Sequence, residues 1–218
     1  MSIKIVVVDD HGIVREGLHL LIEQQEDMEV IDEAADGREA VELVRQLKPN
    51  VVLMDVKMSE LNGIEATRQI VKEDPSTRVL ALSAYPNKHF VIDMIKAGAS
   101  GYILKESLTG ELIRAINVVM AGQLYLCPKV TRYFIDEVIG PDEPKPEHSS
   151  LSKLTGKERE LLQLLAEGKS TKEAARILHV SVKTVDARRR DLMKKLDRYT
   201  IAELTKIAII EGLTPLEC

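Results

Sequence analysis

At 218 residues the chain exceeds what one average core organises, so two compact domains are expected. Its 44% hydrophobic and 30% charged residues are those of an ordinary globular protein, and five Tyr, two Phe and no Trp leave too little aromatic surface for stacking single-stranded bases. The formal charge of −5 conceals an asymmetry: residues 1–150 carry 16 Lys/Arg against 25 Asp/Glu, a balance of −9, whereas residues 151–218 carry 14 against 10, a balance of +4. A basic rear part on an acidic chain points to a polyanionic partner for that part alone, although so small a charge also suits a solvated surface.

The apolar run Ile3 to Val8 stops at Asp9 and Asp10, too short and too acidic for a signal peptide, and no uninterrupted apolar run of membrane-spanning length follows. A cytoplasmic location with no membrane partner is expected. Cys127 and Cys218 lack CxxC or metal-ligand spacing and suit a reducing compartment as packing or surface thiols. His11, His19, His89, His148 and His179 show no paired ligand spacing, so satisfied or exposed histidines are expected in place of a transition-metal site.

From Lys4 onward, short buried-strand runs alternate with amphipathic helices: IKIVVV, Met28 to Ile31, NVVLM, RVLALS and GYIL. Between the second and third runs, Asp36 with Glu39 makes a capping-box pattern, Ala40, Val41, Val44 and Leu47 share one face, and Pro49 closes the segment. Gly98 and Gly122 stand where helix C-caps belong. Strands apolar on both faces and separated by helices must pair in parallel, which predicts an α/β, doubly wound five-stranded sheet over residues 1–124. Residues 125–150 are expected to be a linker, because PDEPKPEHSS concentrates Pro, charge and Ser without an apolar face. Residues 151–218 then show only helix signals: Thr155 with Glu158, Ser170 with Glu173, Ser181 as an N-cap, and Thr200 with Glu203, with Gly168 and Gly212 as stops.

Asp9 and Asp10 follow the first strand and Asp55 follows the third. Adjacent first and third strands meet at the topological switch point of such a sheet, so the three carboxylates should crowd one crevice. Their repulsion is relieved by a hard dication, and Mg²⁺ suits an oxygen-only site that keeps several waters. Ser83 ends the fourth strand and Lys105 follows the fifth, bringing a hydroxyl and a cation to the same crevice. A carboxylate nucleophile, a metal and an ammonium are what phosphoryl transfer needs from a protein.

Further on, Leu178-His179-Val180 joins two short helices into a helix-turn-helix pattern, the first burying Ala174, Ala175, Ile177 and Leu178. The second, Val182 to Leu196, places Val185, Leu192 and Leu196 inward, leaving Lys183, Asp186, Ala187, Arg190 and Lys194 as an outward stripe. In a major groove Ala187 allows close approach, Arg190 can donate twice to guanine and Asp186 can accept from a cytosine amine. Lys183, Thr184, Lys194 and Lys195 are placed to grip phosphates. By periodicity Arg189 points inward, its stem packing while its head reaches water.

Val8-Asp9-Asp10, Met54-Asp55, Ser83-Ala84, Tyr102 and Leu104-Lys105 together resemble the receiver domain of bacterial response regulators. That resemblance implies that Asp55 accepts phosphate from a histidine kinase and that Asp10, Asp55 and the Lys57 carbonyl hold the metal, with Asp9 assisting through water. It also implies that Lys105 pairs with the phosphate, Ser83 hydrogen-bonds it and Tyr102 turns inward. The family often has Pro after the Met that follows the acceptor; here Met58 is followed by Ser59, which leaves that loop less restricted. The rear part resembles the LuxR-type helix-turn-helix of the NarL/FixJ family through Leu154-Thr155, Glu158, Glu160, Ala166-x-Gly168, Lys172-Glu173, Ala175, Ser181, Thr184-Val185 and Lys195-Leu196. That implies a recognition helix from Val182 to Leu196 and a last helix that pairs two copies on a two-part site. On the reading face Asp186, Ala187 and Arg188 depart from the family's common residues, so the DNA target is this chain's own. The expected function is a phosphorylation-controlled transcription regulator, not an enzyme on outside substrates, binding double-stranded DNA as a homodimer. The alternatives are an aspartate-based phosphohydrolase, a helical protein-interaction module, and a regulator independent of phosphorylation.

Overall fold

Valine and isoleucine dominate the strand runs because their branched side chains suit a pleated surface covered on both faces. The computed structural model describes residues 2–84, 88–131, 135, 150–211 and 213–214. Two compact units emerge, Met1–Gly140 and Pro141–Cys218. In the first, the strands are β1 (Ile3–Val8), β2 (Met28–Ala34), β3 (Val51–Asp55), β4 (Arg78–Ser83), β5 (Gly101–Leu104) and β6 (Tyr125–Leu126). They form one sheet in the order β2-β1-β3-β4-β5-β6, and every pair is parallel. The intervening helices are α1 (Gly12–Glu23), α2 (Gly37–Leu47), α3 (Gly63–Glu73), α4 (Lys88–Ala97) and α5 (Leu108–Met120).

The expected five strands become six. Tyr125 and Leu126 pair with Gly101 and Tyr102, Tyr125 N–H donates to the Ser100 carbonyl at 3.1 Å and Cys127 N–H to the Tyr102 carbonyl at 3.2 Å. Cys127 and Val130 are buried in the same core. Two residues are too few to show a strand period, so the signal was absent; tertiary packing against β5 supplies what pattern could not. The middle of the expected linker, residues 136–149, lies outside the described residues, as do Gly212, His148 and Cys218.

Local chemistry sets the helix ends. Asp36 accepts from the amides of Arg38 and Glu39 at 2.7 and 3.0 Å, and Glu39 accepts from Ala35 N–H in return. Gly98 follows α4 at φ 104°, a conformation that side chains with a Cβ rarely adopt. α2 packs on α3 and α3 on α4, while α1 lies against β1 and β2 and α5 against β4 and β5. Central strands β1, β3 and β4 are thereby covered, and their apolar residues from Ile5 to Leu82 form the core.

The second unit contains α6 (Gly156–Ala166), α7 (Thr171–Ile177), α8 (Val182–Leu196) and α9 (Ile201–Ile210). All three expected capping boxes form, with Glu158, Glu173 and Glu203 each accepting from the N-cap amide three residues back. Ser181 caps α8 through Thr184 N–H at 3.1 Å. Leu161, Leu162, Leu164, Ala174, Val185, Leu192 and Leu204 make a separate core. Among the described residues no helix is long and apolar enough to cross a membrane.

Candidate functional site

Register builds the first site. Val8 of β1 is level with Met54 of β3, so the next residues, Asp9 and Asp55, leave the sheet side by side. Asp55 is level with Leu82 and Ser83 with Leu104, which brings Ser83 and then Lys105 to the same end. Asp9, Asp55 and Ser83 are buried at 0, 4 and 4% exposure. Lys105 Nζ lies 2.6 Å from Asp9 Oδ2 and 3.0 Å from Asp55 Oδ2. The ammonium thus bridges the two buried carboxylates and offsets their mutual repulsion.

These surroundings move the proton affinities in opposite ways. Burial and then the Asp9 charge push the Asp55 carboxyl up to about 6, with Lys105 pulling the other way. Burial works against the Lys105 charge, but Asp55 and Asp9 outweigh it and its pKa is raised. Burial also raises the Tyr102 phenol, an effect the nearby Ser83 side chain opposes without a well-formed hydrogen bond to the phenol oxygen. Tyr102 is fully buried in β5.

Lys57 lies two residues past Asp55, and its ammonium stands 4.8 Å from the centroid of the Phe90 ring. The loop between Asp55 and α3 is pinned by Gly63 N–H, which donates to the Val56 carbonyl at 3.1 Å. A Cβ at Gly63 would lie 1.9 Å from the Asp55 carbonyl oxygen, so only glycine permits this return. Ser59 and Glu60 occupy the turn, Glu60 at φ 63°.

Two neighbours of the pocket were not expected. Arg15 Nη1 donates to the Asp9 carbonyl at 2.7 Å. His11 sits directly above the acids: its amide donates to Asp9 Oδ1 at 2.9 Å, and Nδ1 is 2.6 Å from Asp10 Oδ1 and 3.2 Å from Asp9 Oδ1. Asp9, Asp10, His11 and Asp55 each offer one ligand atom, all within 4.8 Å of one another. The donor set is thus chemically suited to a divalent cation. The clue in the sequence was a histidine following the acid pair at the start of α1, where spacing between histidines carries no information.

The second site is the outer face of α8. Lys183, Asp186, Arg190 and Lys194 are exposed, and Ala187, Arg188 and Arg189 are half-buried, so the expected stripe is present. Thr184 Oγ1 is engaged with Ser181 Oγ at 2.8 Å in the cap of the helix. Lys195 Nζ is held by both Glu158 oxygens at 2.7 and 2.9 Å. Burial resists the Glu158 charge, but Lys195 and the Thr155 donors keep its pKa below the usual carboxylate value. The turn between α7 and α8 has His179 at φ 51°, a left-handed conformation uncommon for a residue with a Cβ.

Comparison with known proteins bears on both sites. Residues 5–117 match the response regulator receiver domain and residues 152–208 the bacterial regulatory proteins of the luxR family. The chain is 38% identical to the oxygen regulatory protein NreC of Staphylococcus carnosus over 96% of this chain and 98% of that protein. Against the transcriptional regulatory protein DegU of Brevibacillus brevis it is 36% identical over 90% and 88%. Among solved structures, a LuxR-family two-component response regulator from Aurantimonas covers 64% of this chain and 99% of its own, at 38% identity and TM-score 0.61. The RcsB response regulator of Salmonella typhimurium covers 94% and 97%, at 25% identity and TM-score 0.59. This family comprises DNA-binding transcription regulators and not classical enzymes. With the acid-lined end of a flavodoxin-like sheet in front and a capped helix-turn-helix behind, the chain belongs to the two-component response regulators of the NarL/FixJ family.

Proposed function

We propose that Asp55 is the phosphoacceptor and that its phosphorylation by a sensor histidine kinase controls the grip of α8 on duplex DNA. The observation that carries this reading is the sharing of Lys105 Nζ between Asp9 and Asp55, with Ser83 at the neighbouring strand end. An Asp55 carboxylate oxygen attacks phosphorus of the phosphohistidine; the P–N bond breaks, and the departing imidazole takes up a proton from solvent. Lys105 then balances charge on the new phosphoryl group, Ser83 donates to one of its oxygens, and Tyr102 stays packed behind that hydroxyl. Asp9, Asp10, Asp55 and the Lys57 carbonyl would hold Mg²⁺, which when bound supplies charge neutralisation on the transferring oxygens.

Phosphorylation adds about two negative charges at the pocket and shifts a pre-existing equilibrium between two arrangements of the receiver. Tyr125 to Val130 belong to the receiver's packing, so the linker starts after them, and residues 151–218 serve as the DNA-binding domain. Within α8, Asp186, Ala187, Arg188 and Arg190 face bases, whereas Lys183, Thr184 and Lys194 hold phosphates. Lys195 joins them by exchanging Glu158 for a phosphate oxygen. Two copies pair on a two-part site, and the protein works in the cytoplasm.

The test selects a DNA site with full-length protein and measures affinity before and after a small phosphodonor with Mg²⁺, with Asp55→Asn as control. Tighter binding of the treated wild type alone is the expected result; equal affinity in all three samples removes the switch. Arg190→Ala should weaken the selected site about 10- to 100-fold, the value of a bidentate base contact, while changing non-specific binding little.

A further inference from the structure

At the end of the sheet opposite the acids, β4 begins at Arg78, Ser100 stands just before β5, and residues 122–124 turn from α5 into β6. These segments, with Val119 of α5, line a cavity of about 170 Å³. Arg15, Arg45 and Arg68 of the same unit each pair with a carboxylate. Arg78 does not: among the described residues its half-buried side chain has neither a hydrogen bond nor an ion pair, although residues 1–150 carry 25 acids to 16 bases. The side chains of Ser100 and Gln123 are equally without partners among the described residues. Val119, fully buried, and Leu124, 48% exposed, add apolar wall. Gly122 leaves one side open, since a Cβ there would meet nothing within 4 Å. The amides of Gly122 and Gln123 donate to the Val119 and Val118 carbonyls at 3.0 and 3.2 Å, so the negative end of α5 is already satisfied where it meets the cavity.

We propose that this cavity binds a short-chain monocarboxylate. The guanidinium of Arg78 is a planar fork of donors that matches the two oxygens of a carboxylate, and no acid among the described residues competes for it. The Ser100 hydroxyl and the Gln123 amide donate to the remaining lone pairs. Volume sets the size. Drug-sized ligands occupy pockets of about 300 Å³ or more, so about 170 Å³ restricts the occupant to a head group with a short chain. That chain lies against Val119 and Leu124, and burying it there favours a carboxylate with an apolar body over a bare inorganic anion. The site does not depend on the reading of Asp55, which lies at the other end of its strand. Its consequence is local: the bound carboxylate ties the turn at 122–124 to the starts of β4 and β5. Tyr125, next along the chain, donates its amide to the Ser100 carbonyl at 3.1 Å, so occupancy braces the attachment of β6.

The probe is butyrate, titrated into isotope-labelled full-length protein and followed by nuclear magnetic resonance, with butanol and inorganic phosphate as comparisons. Butyrate should move the amide signals of Ser100, Gln123 and Leu124 with a dissociation constant on the order of 1 mM, and should slow hydrogen exchange at Tyr125. Arg78→Gln should weaken that binding about tenfold or more, the value of a charge-assisted pair. Leu124→Asn should weaken butyrate but leave acetate unchanged. Should Arg78→Gln fail to fold, Leu124→Asn and Gln123→Ala at the exposed rim carry the same test, each expected to weaken butyrate. Equal shifts with butanol, phosphate bound as tightly as butyrate, or shifts at Lys105 in place of those three amides would overturn the proposal. So would butyrate binding that folded variants at these positions leave unchanged.

Discussion

Asp9 and Asp55 are distant in sequence and become neighbours only through the pairing of β1 with β3, whereas the exposed stripe of α8 comes from one continuous stretch capped by its own Ser181. The pocket is a product of tertiary register and close backbone approach, and its parts have perturbed proton affinities because they are buried together. The reading face is a product of local helix geometry, with charges in water. Damage to the first should therefore spread through the fold, while damage to the second should remain local.

Gly63→Ala is the harshest way to probe that contrast. The new methyl would overlap the Asp55 carbonyl, and the loop must shift; a loss of about 3 kcal/mol in chemical denaturation of the receiver is expected. A change below about 0.5 kcal/mol would mean that the pocket tolerates rearrangement as easily as a surface.

Asp55→Asn should act in the other direction when metal is removed by chelation. The folded chain keeps the Asp55 proton up to about pH 6, against 3.8 for the ordinary carboxyl, so ionisation costs the fold stability as pH rises through that window. At pH 7 the variant should be more stable than the parent by up to about 3 kcal/mol. The gap should shrink on acidification and vanish below about pH 4. A gap that stays constant from pH 4 to 8 would show that the carboxylate is not strained by its neighbours.

The smallest effect belongs to the second unit. Ser181→Ala removes the acceptor of the Thr184 amide at 3.1 Å and should cost about 1 kcal/mol, with the receiver's own unfolding transition unmoved. If the receiver transition moved as well, the two regions would not be energetically separate.

The same contrast governs what could be read in advance. RVLALS and GYIL are strands β4 and β5 as written, and the capping boxes at Thr155, Ser170 and Thr200 form, because these signals are local. The crowding of Asp9, Asp55, Ser83 and Lys105 was legible because parallel strands leave little freedom in where their ends meet. Three features escaped. β6 is two residues long and exists only by virtue of β5. His11 reaches the acids through a backbone turn that spacing does not encode. Lys195, expected to grip phosphate, is also tied to Glu158 on α6, an acid engaged in capping, a tertiary pairing that local spacing does not encode.

The pairing of β6 with β5 has a bearing on self-association. Without it, the backbone amides and carbonyls beside Gly101 and Tyr102 would form an open margin on which a strand from another molecule could add. Tyr125 to Cys127 consume those groups, and the margin that replaces them is only two residues long, too short to template an intermolecular ribbon. Two copies of this receiver that meet on that flank must therefore do so through side chains and not by extending the sheet.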